Sequence, residues 1–130
     1  MSYGTRASAY LETQVLSASP GQLVVMLYDH LLLQFRRARI GIEKGDVATR
    51  QAALEKSRAV LGELLGTLDY QQGGEIARQL SGIYAFLLAE LLDIGLHPRA
   101  ERLDPLSAIV TDLREAFDTI ARQPTAQEVA

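Results

Sequence analysis

The sequence predicts an all-α protein, an antiparallel up-down four-helix bundle with an N-terminal arm or short helix. Three observations carry that expectation. Apolar residues recur at spacings of three and four through four long segments. Capping and turn residues separate those segments, and no segment alternates with the period of two that a strand requires. At 130 residues the chain has the size of one domain. We divide it into an arm over 1–18, a bundle over 19–122 and a flexible tail over 123–130.

The first helix is expected over about 20–43. Ser19 is a good N-cap and Pro20 suits the first helical position. Leu23, Met26, Leu27, Leu31, Gln34, Phe35, Ala38 and Ile42 then form one stripe. Gly45-Asp46 breaks the chain, and Asp46 can cap a second helix over about 47–70. There Val47, Leu54, Leu61 and Leu68 repeat every seven residues, with Ser57 and Leu64 between them, a seam suited to near-antiparallel packing. Gly73 and Gly74 are expected to close that helix, because glycine takes the left-handed conformation at little cost.

The third helix, about 75–95, opens with Glu75 in its first turn and carries Ile76, Leu80, Ile83, Tyr84, Leu87, Leu91 and Ile94. The fourth is expected over 98–121. Its start fits Pro98, or Asp104-Pro105 where cap signals are clearer, and its stripe is Leu103, Leu106, Val110, Leu113, Phe117 and Ile120. Ahead of the bundle, Tyr10, Leu11, Val15 and Leu16 are apolar but no capping signal precedes them, so we expect an arm that docks on the bundle.

Composition narrows the function. Apolar residues make up 48% of the chain, enough for a core that needs no metal or disulfide, and there is no cysteine. The N-terminus lacks the apolar core of a secretory signal, and the apolar run Leu23 to Tyr28 is short against the ~20 residues of a membrane-spanning helix. A cytoplasmic protein without stable membrane insertion is the expectation. A net charge of −3 has the wrong sign for general nucleic-acid affinity. The local cluster Arg36, Arg37, Arg39 and Lys44 falls in the last turns of a helix, where cations complement the macrodipole.

No constellation of polar groups points to catalysis, a metal or a cofactor, so a non-enzyme is expected. His30 and His97 are the two histidines, and neither belongs to Glu-x-x-His because Leu27 and Ile94 stand three residues before them. A phosphorelay bundle using His30 is the alternative function. Leu31-Leu32-Leu33 follow it, however, with cationic support only from Arg36 or Arg37, so a plain helix-surface histidine reads better. Gly73-Gly74 lacks the Gly-Lys-Ser/Thr of a phosphate loop.

The helices carry more apolar residues than one stripe uses: Val24, Val25, Leu32, Leu33, Val60, Leu65, Phe86, Leu88, Leu92 and Ile109. Some broaden the core, and the remainder would form an exposed apolar patch of the kind that marks a binding site. Small residues at Ala52, Ala59, Gly62 and Gly66, and at Gly82, Ala85 and Ala89, fit either tolerated surface positions or close approach by a foreign helix. Together these features describe a helix-in-groove binder.

Three ordered blocks then resemble the FliS-type flagellar secretion chaperones. They are Tyr10 through Asp29, with Ser17-Ala18-Ser19-Pro20 leading into Leu23-Val24-Val25-Met26-Leu27-Tyr28-Asp29; Leu68-Asp69 with Gly73-Gly74-Glu75-Ile76-Ala77, Leu80 and Ile83-Tyr84; and Leu113-Arg114-Glu115-Ala116-Phe117. His30 stands where the family often has glycine, Gly21 replaces a better helix former, and Phe86 stands where tyrosine is common. The resemblance implies a cytoplasmic bundle that binds the disordered C-terminal region of flagellin. Such a protein prevents premature polymerisation and hands its cargo to the flagellar type III export apparatus. It further implies that the arm, through Tyr10, Leu11, Val15 and Leu16, covers the flagellin groove until cargo displaces it. For the groove itself, Val60, Leu64, Leu88 and Leu92 are the candidates. A homodimer is left open.

Overall fold

The computed structural model describes residues 19–122, and within them every regular element is a helix. In chain order these are α1 (Pro20–Lys44), α2 (Val47–Gly66), α3 (Tyr70–Leu96), a 3-10 turn (Ala100–Arg102) and α4 (Leu103–Arg122).

Local chemistry sets each boundary. At α1 the Ser19 hydroxyl accepts the Gln22 backbone N–H at 3.2 Å, and the Gln22 side-chain oxygen accepts the Ser19 N–H at 2.9 Å. This capping box satisfies two helix-end donors, and Pro20 at the first position needs no acceptor. Gly45, at φ 66°, ends α1, and the Asp46 N–H returns to the Gly41 carbonyl at 2.8 Å. Asp46 then caps α2: its carboxylate accepts from the Thr49 N–H at 3.1 Å and the Thr49 hydroxyl at 2.7 Å.

Two expected boundaries shift. The second helix stops at Gly66 rather than near residue 70, with the Thr67 hydroxyl donating to the Leu64 carbonyl at 2.6 Å. Gly73 and Gly74 therefore do not close it. Asp69 accepts the N–H groups of Gln71 and Gln72, both at 3.1 Å, and so starts α3 before the glycines arrive. They fall one turn inside α3, where Gly74 at φ 49°, ψ −118° kinks the helix. At the other loop, residues 98–102 form an extended residue and the 3-10 turn, so α4 begins at Leu103, near the later of the two starts considered.

Neighbouring helices run antiparallel. An ideal Cβ on Gly21 would contact the Ala121 Cβ at 3.2 Å, Asp29 pairs with Arg114 at 2.9 Å, and Arg39 pairs with Asp104 at 3.5 Å, which aligns α1 and α4 along their lengths. The α1–α2 turn is so tight that a Cβ on Gly41 would lie 2.7 Å from the Arg50 nitrogen. Arg102 joins the 3-10 turn to α3 through Glu90 at 3.1 Å and Asp93 at 2.6 Å.

The core is one continuous cluster built from all four helices, including Leu31 and Phe35, Leu54 and Leu61, Leu87 and Leu91, and Leu106 and Val110. At its centre the Tyr28 and Tyr84 hydroxyls meet at 2.6 Å, linking α1 to α3. The Tyr28 ring also packs edge-on against Phe117 of α4, with centroids 5.6 Å apart. Leu68, the last residue of the seven-residue seam, packs on this core from the turn after α2. Val47, the first, is exposed at the other end.

By length and composition α3 is apolar enough to cross a membrane. Its apolar residues are interrupted by Gly82 and Glu90, so no long unbroken run marks it in the sequence. In the bundle its Leu80, Tyr84, Leu87, Leu91 and Ile94 are buried, while Ile76, Phe86, Leu92 and Leu96 face outward.

Candidate functional site

A groove of about 990 Å³ lies between α1 and α2. Its walls are Leu23, Met26, Leu27 and Leu33 from α1 and Ala59 and Val60 from α2. From Leu23 to Arg37 the α1 wall spans roughly 21 Å, about four helical turns. The antiparallel α2 faces it from Lys56 to Glu63, with Thr67 just beyond the helix end, so the groove has the shape of a seat for one more helix.

Charges border this apolar surface in both signs: Asp29 and Glu63 on one side of the balance, Arg37 and Lys56 on the other. An amphipathic helix laid there would bury its apolar face and meet charge at its edges. Among the polar residues lining the groove, Gln34 is the buried one, 2% exposed, and it pairs with His30 at 3.1 Å.

The four groove residues named from sequence are not brought to one surface. Val60 lines the groove. Leu64, on the same helix, is 0% exposed in the core and offers a ligand no surface. Leu88 is half-buried against the core, and Leu92 is 56% exposed on the outer side of α3. The arm residues Tyr10, Leu11, Val15 and Leu16 lie outside the described residues.

Leu23 and Met26 of the expected core stripe line the groove instead, and Leu27 both packs against the core and lines the groove. The available signal was the surplus on the first helix. Its apolar residues nearly encircle the axis, and Leu33, one of the surplus residues, forms part of the groove wall. Most of the other surplus residues broaden the core: Val25 is buried, and Val24, Leu32, Leu65, Leu88 and Ile109 pack against it. Phe86 and Leu92 remain outside, flanked by Gly82, Ala85 and Ala89, and give α3 a second apolar face.

Elsewhere the charged side chains serve structure. Arg39 pairs with Glu43 at 3.3 Å as well as with Asp104. Among the described residues no three His, Asp or Glu side chains converge as a metal ion would need.

A family model described as Flagellar protein FliS matches residues 3–124. The flagellar secretion chaperone FliS of Salmonella typhimurium is 34% identical over 123 residues, covering 94% of this chain and 91% of that relative. The protein of the same name from Campylobacter jejuni is 31% identical over 118 residues, covering 91% of this chain and 92% of its own length. That of Bacillus subtilis is 28% identical over 110 residues, covering 85% and 81%.

Proposed function

The chain belongs to the FliS family of flagellar proteins, and from that premise we propose that it binds the disordered C-terminal segment of flagellin in the cytoplasm. A chaperone role in flagellar export comes with the family. The finer reading adds the cargo and the means. Holding apolar faces that would otherwise pair with other flagellin molecules prevents premature polymerisation, and release at the type III export apparatus completes the task. The chaperone works by occupancy, without catalysis, cofactor, nucleic acid or membrane insertion.

The observation that supports this most is the four-turn apolar groove between α1 and α2, bordered by charges of both signs. It suits an amphipathic helix that has no stable partner of its own. The outer face of α3, with Phe86 and Leu92 exposed, is a second contact for a segment long enough to wrap the bundle. Coupled folding and binding of this kind buries ~1,000–3,000 Å² and spends a few kcal/mol on ordering, which leaves affinity compatible with release.

The same reading makes Tyr10, Leu11, Val15 and Leu16 a cover that cargo displaces, since the arm joins the bundle at Ser19, beside the Leu23 end of the groove. Tyr10→Ala then tightens flagellin binding by removing a competitor, and unchanged affinity would count against the cover.

Calorimetric titration with a peptide of the flagellin C-terminal segment tests the function. The expected result is a stoichiometric complex with a negative heat-capacity change, the mark of apolar burial. No binding to flagellin from the same organism would refute it.

A further inference from the structure

Gln34 is a costly residue where it stands. It occupies the inner side of α1 between Leu31 and Phe35, both fully enclosed, and is itself 2% exposed. Its amide nitrogen lies 3.1 Å from His30 Nε2 and, in this amide orientation, donates to the imidazole there. The amide oxygen is buried and has no hydrogen-bond partner among the described residues.

Turning the amide over does not resolve this. The oxygen would then accept an Nε2–H from His30, and the buried NH2 group would be left without an acceptor. In either setting one end of the amide is unpaired inside a mostly apolar groove. An unmade bond in such a place destabilises a fold, and leucine or methionine would avoid it.

The partner that does pair is the movable one. His30 is exposed and lines the same groove. Its ring can leave without opening the core, which would free the Nε2 end of an amide whose other end already lacks a partner among the described residues. A primary amide answers both: its NH2 donates to Oε1 and its carbonyl accepts from Nε2. A carboxylate could not donate to Oε1. A lysine or arginine could not accept from Nε2.

We propose that Gln34 is a specificity-determining residue of the groove, and that it pairs side chain to side chain with an asparagine or glutamine on the bound amphipathic helix, His30 being the group displaced. The inference rests on the reading of the groove as a flagellin seat. It adds a polar register mark to an otherwise apolar contact, fixing which turn of the cargo helix lies opposite α1.

The test uses the full chain and a synthetic peptide of the flagellin C-terminal segment, with each asparagine and glutamine of the peptide replaced in turn by leucine. Gln34→Met is expected to unfold at an equal or higher denaturant concentration than the parent, yet to bind the peptide about tenfold more weakly. One peptide amide should prove coupled. Its replacement weakens binding to the parent by about the same factor and leaves binding to Gln34→Met unchanged. His30→Ala should bind at least as tightly as the parent. Equal binding by Gln34→Met, the absence of any coupled amide, or lost affinity in His30→Ala each overturns the proposal while leaving the flagellin reading in place. A parent chain that does not bind the peptide overturns both.

Discussion

Tyr28 and Tyr84 are the most demanding pair in the core, two phenols fully enclosed and satisfied by each other at 2.6 Å. Removing one hydroxyl leaves the other buried without its partner. Tyr28→Phe should therefore cost about 1–3 kcal/mol in denaturant unfolding, and the double change Tyr28→Phe with Tyr84→Phe should cost less than the sum of the two. Additive losses would mean the hydroxyls are not coupled. Burial raises both phenols above the ordinary tyrosine range. Their mutual hydrogen bond raises Tyr28 further and opposes the rise at Tyr84. The fold thus favours the protonated forms. Their contribution is complete below the unfolded value near 10, and it is lost as pH rises above that toward the folded values. The double phenylalanine variant should show a shallower alkaline loss of stability, read by circular dichroism from pH 9 upward.

At the scale of the helix, Gly74 carries a backbone that no side chain adopts easily, with φ 49° and ψ −118°. Gly74→Ala should destabilise by about 1–3 kcal/mol although an added Cβ would meet nothing within 4 Å. A neutral result in urea unfolding would show that the kink relaxes freely. The same position explains how far the helices could be read from sequence. Ser19-Pro20 and Gly45-Asp46 are unambiguous because cap, helix start and chain break coincide within two residues. Around 66–75 the signals compete: Gly66, Asp69 and the Gly73-Gly74 pair each offer a boundary. The winner is Asp69, which satisfies two backbone donors, and no pattern of apolar residues reveals that. The seven-residue seam also ran one step too far, because Leu68 reaches the core from a turn as well as it would from a helix.

Across the whole molecule, two apolar surfaces compete for the role of principal cargo seat, and periodicity could not separate them. A helical stripe shows which residues lie together but not which neighbour they face, so it does not tell the groove residues Leu23 and Met26 from core, nor the core residue Leu64 from groove. The fold distinguishes the surfaces by shape. Between α1 and α2 the apolar residues line a concavity, whereas Phe86 and Leu92 stand exposed on the outer face of α3. A helix buries more surface in the former, which is therefore expected to carry most of the affinity. Leu33 and Leu92 are both exposed, at 37% and 56%, so a charge at either leaves the core intact. The decisive measurement is the affinity of the flagellin C-terminal peptide for Leu33→Asp and for Leu92→Asp, each first shown by circular dichroism to keep its helices. Loss of tenfold or more at Leu33→Asp with a smaller loss at Leu92→Asp is the predicted result. Full affinity in Leu33→Asp, with binding abolished in Leu92→Asp, would contradict it and move the seat to the outer face of α3.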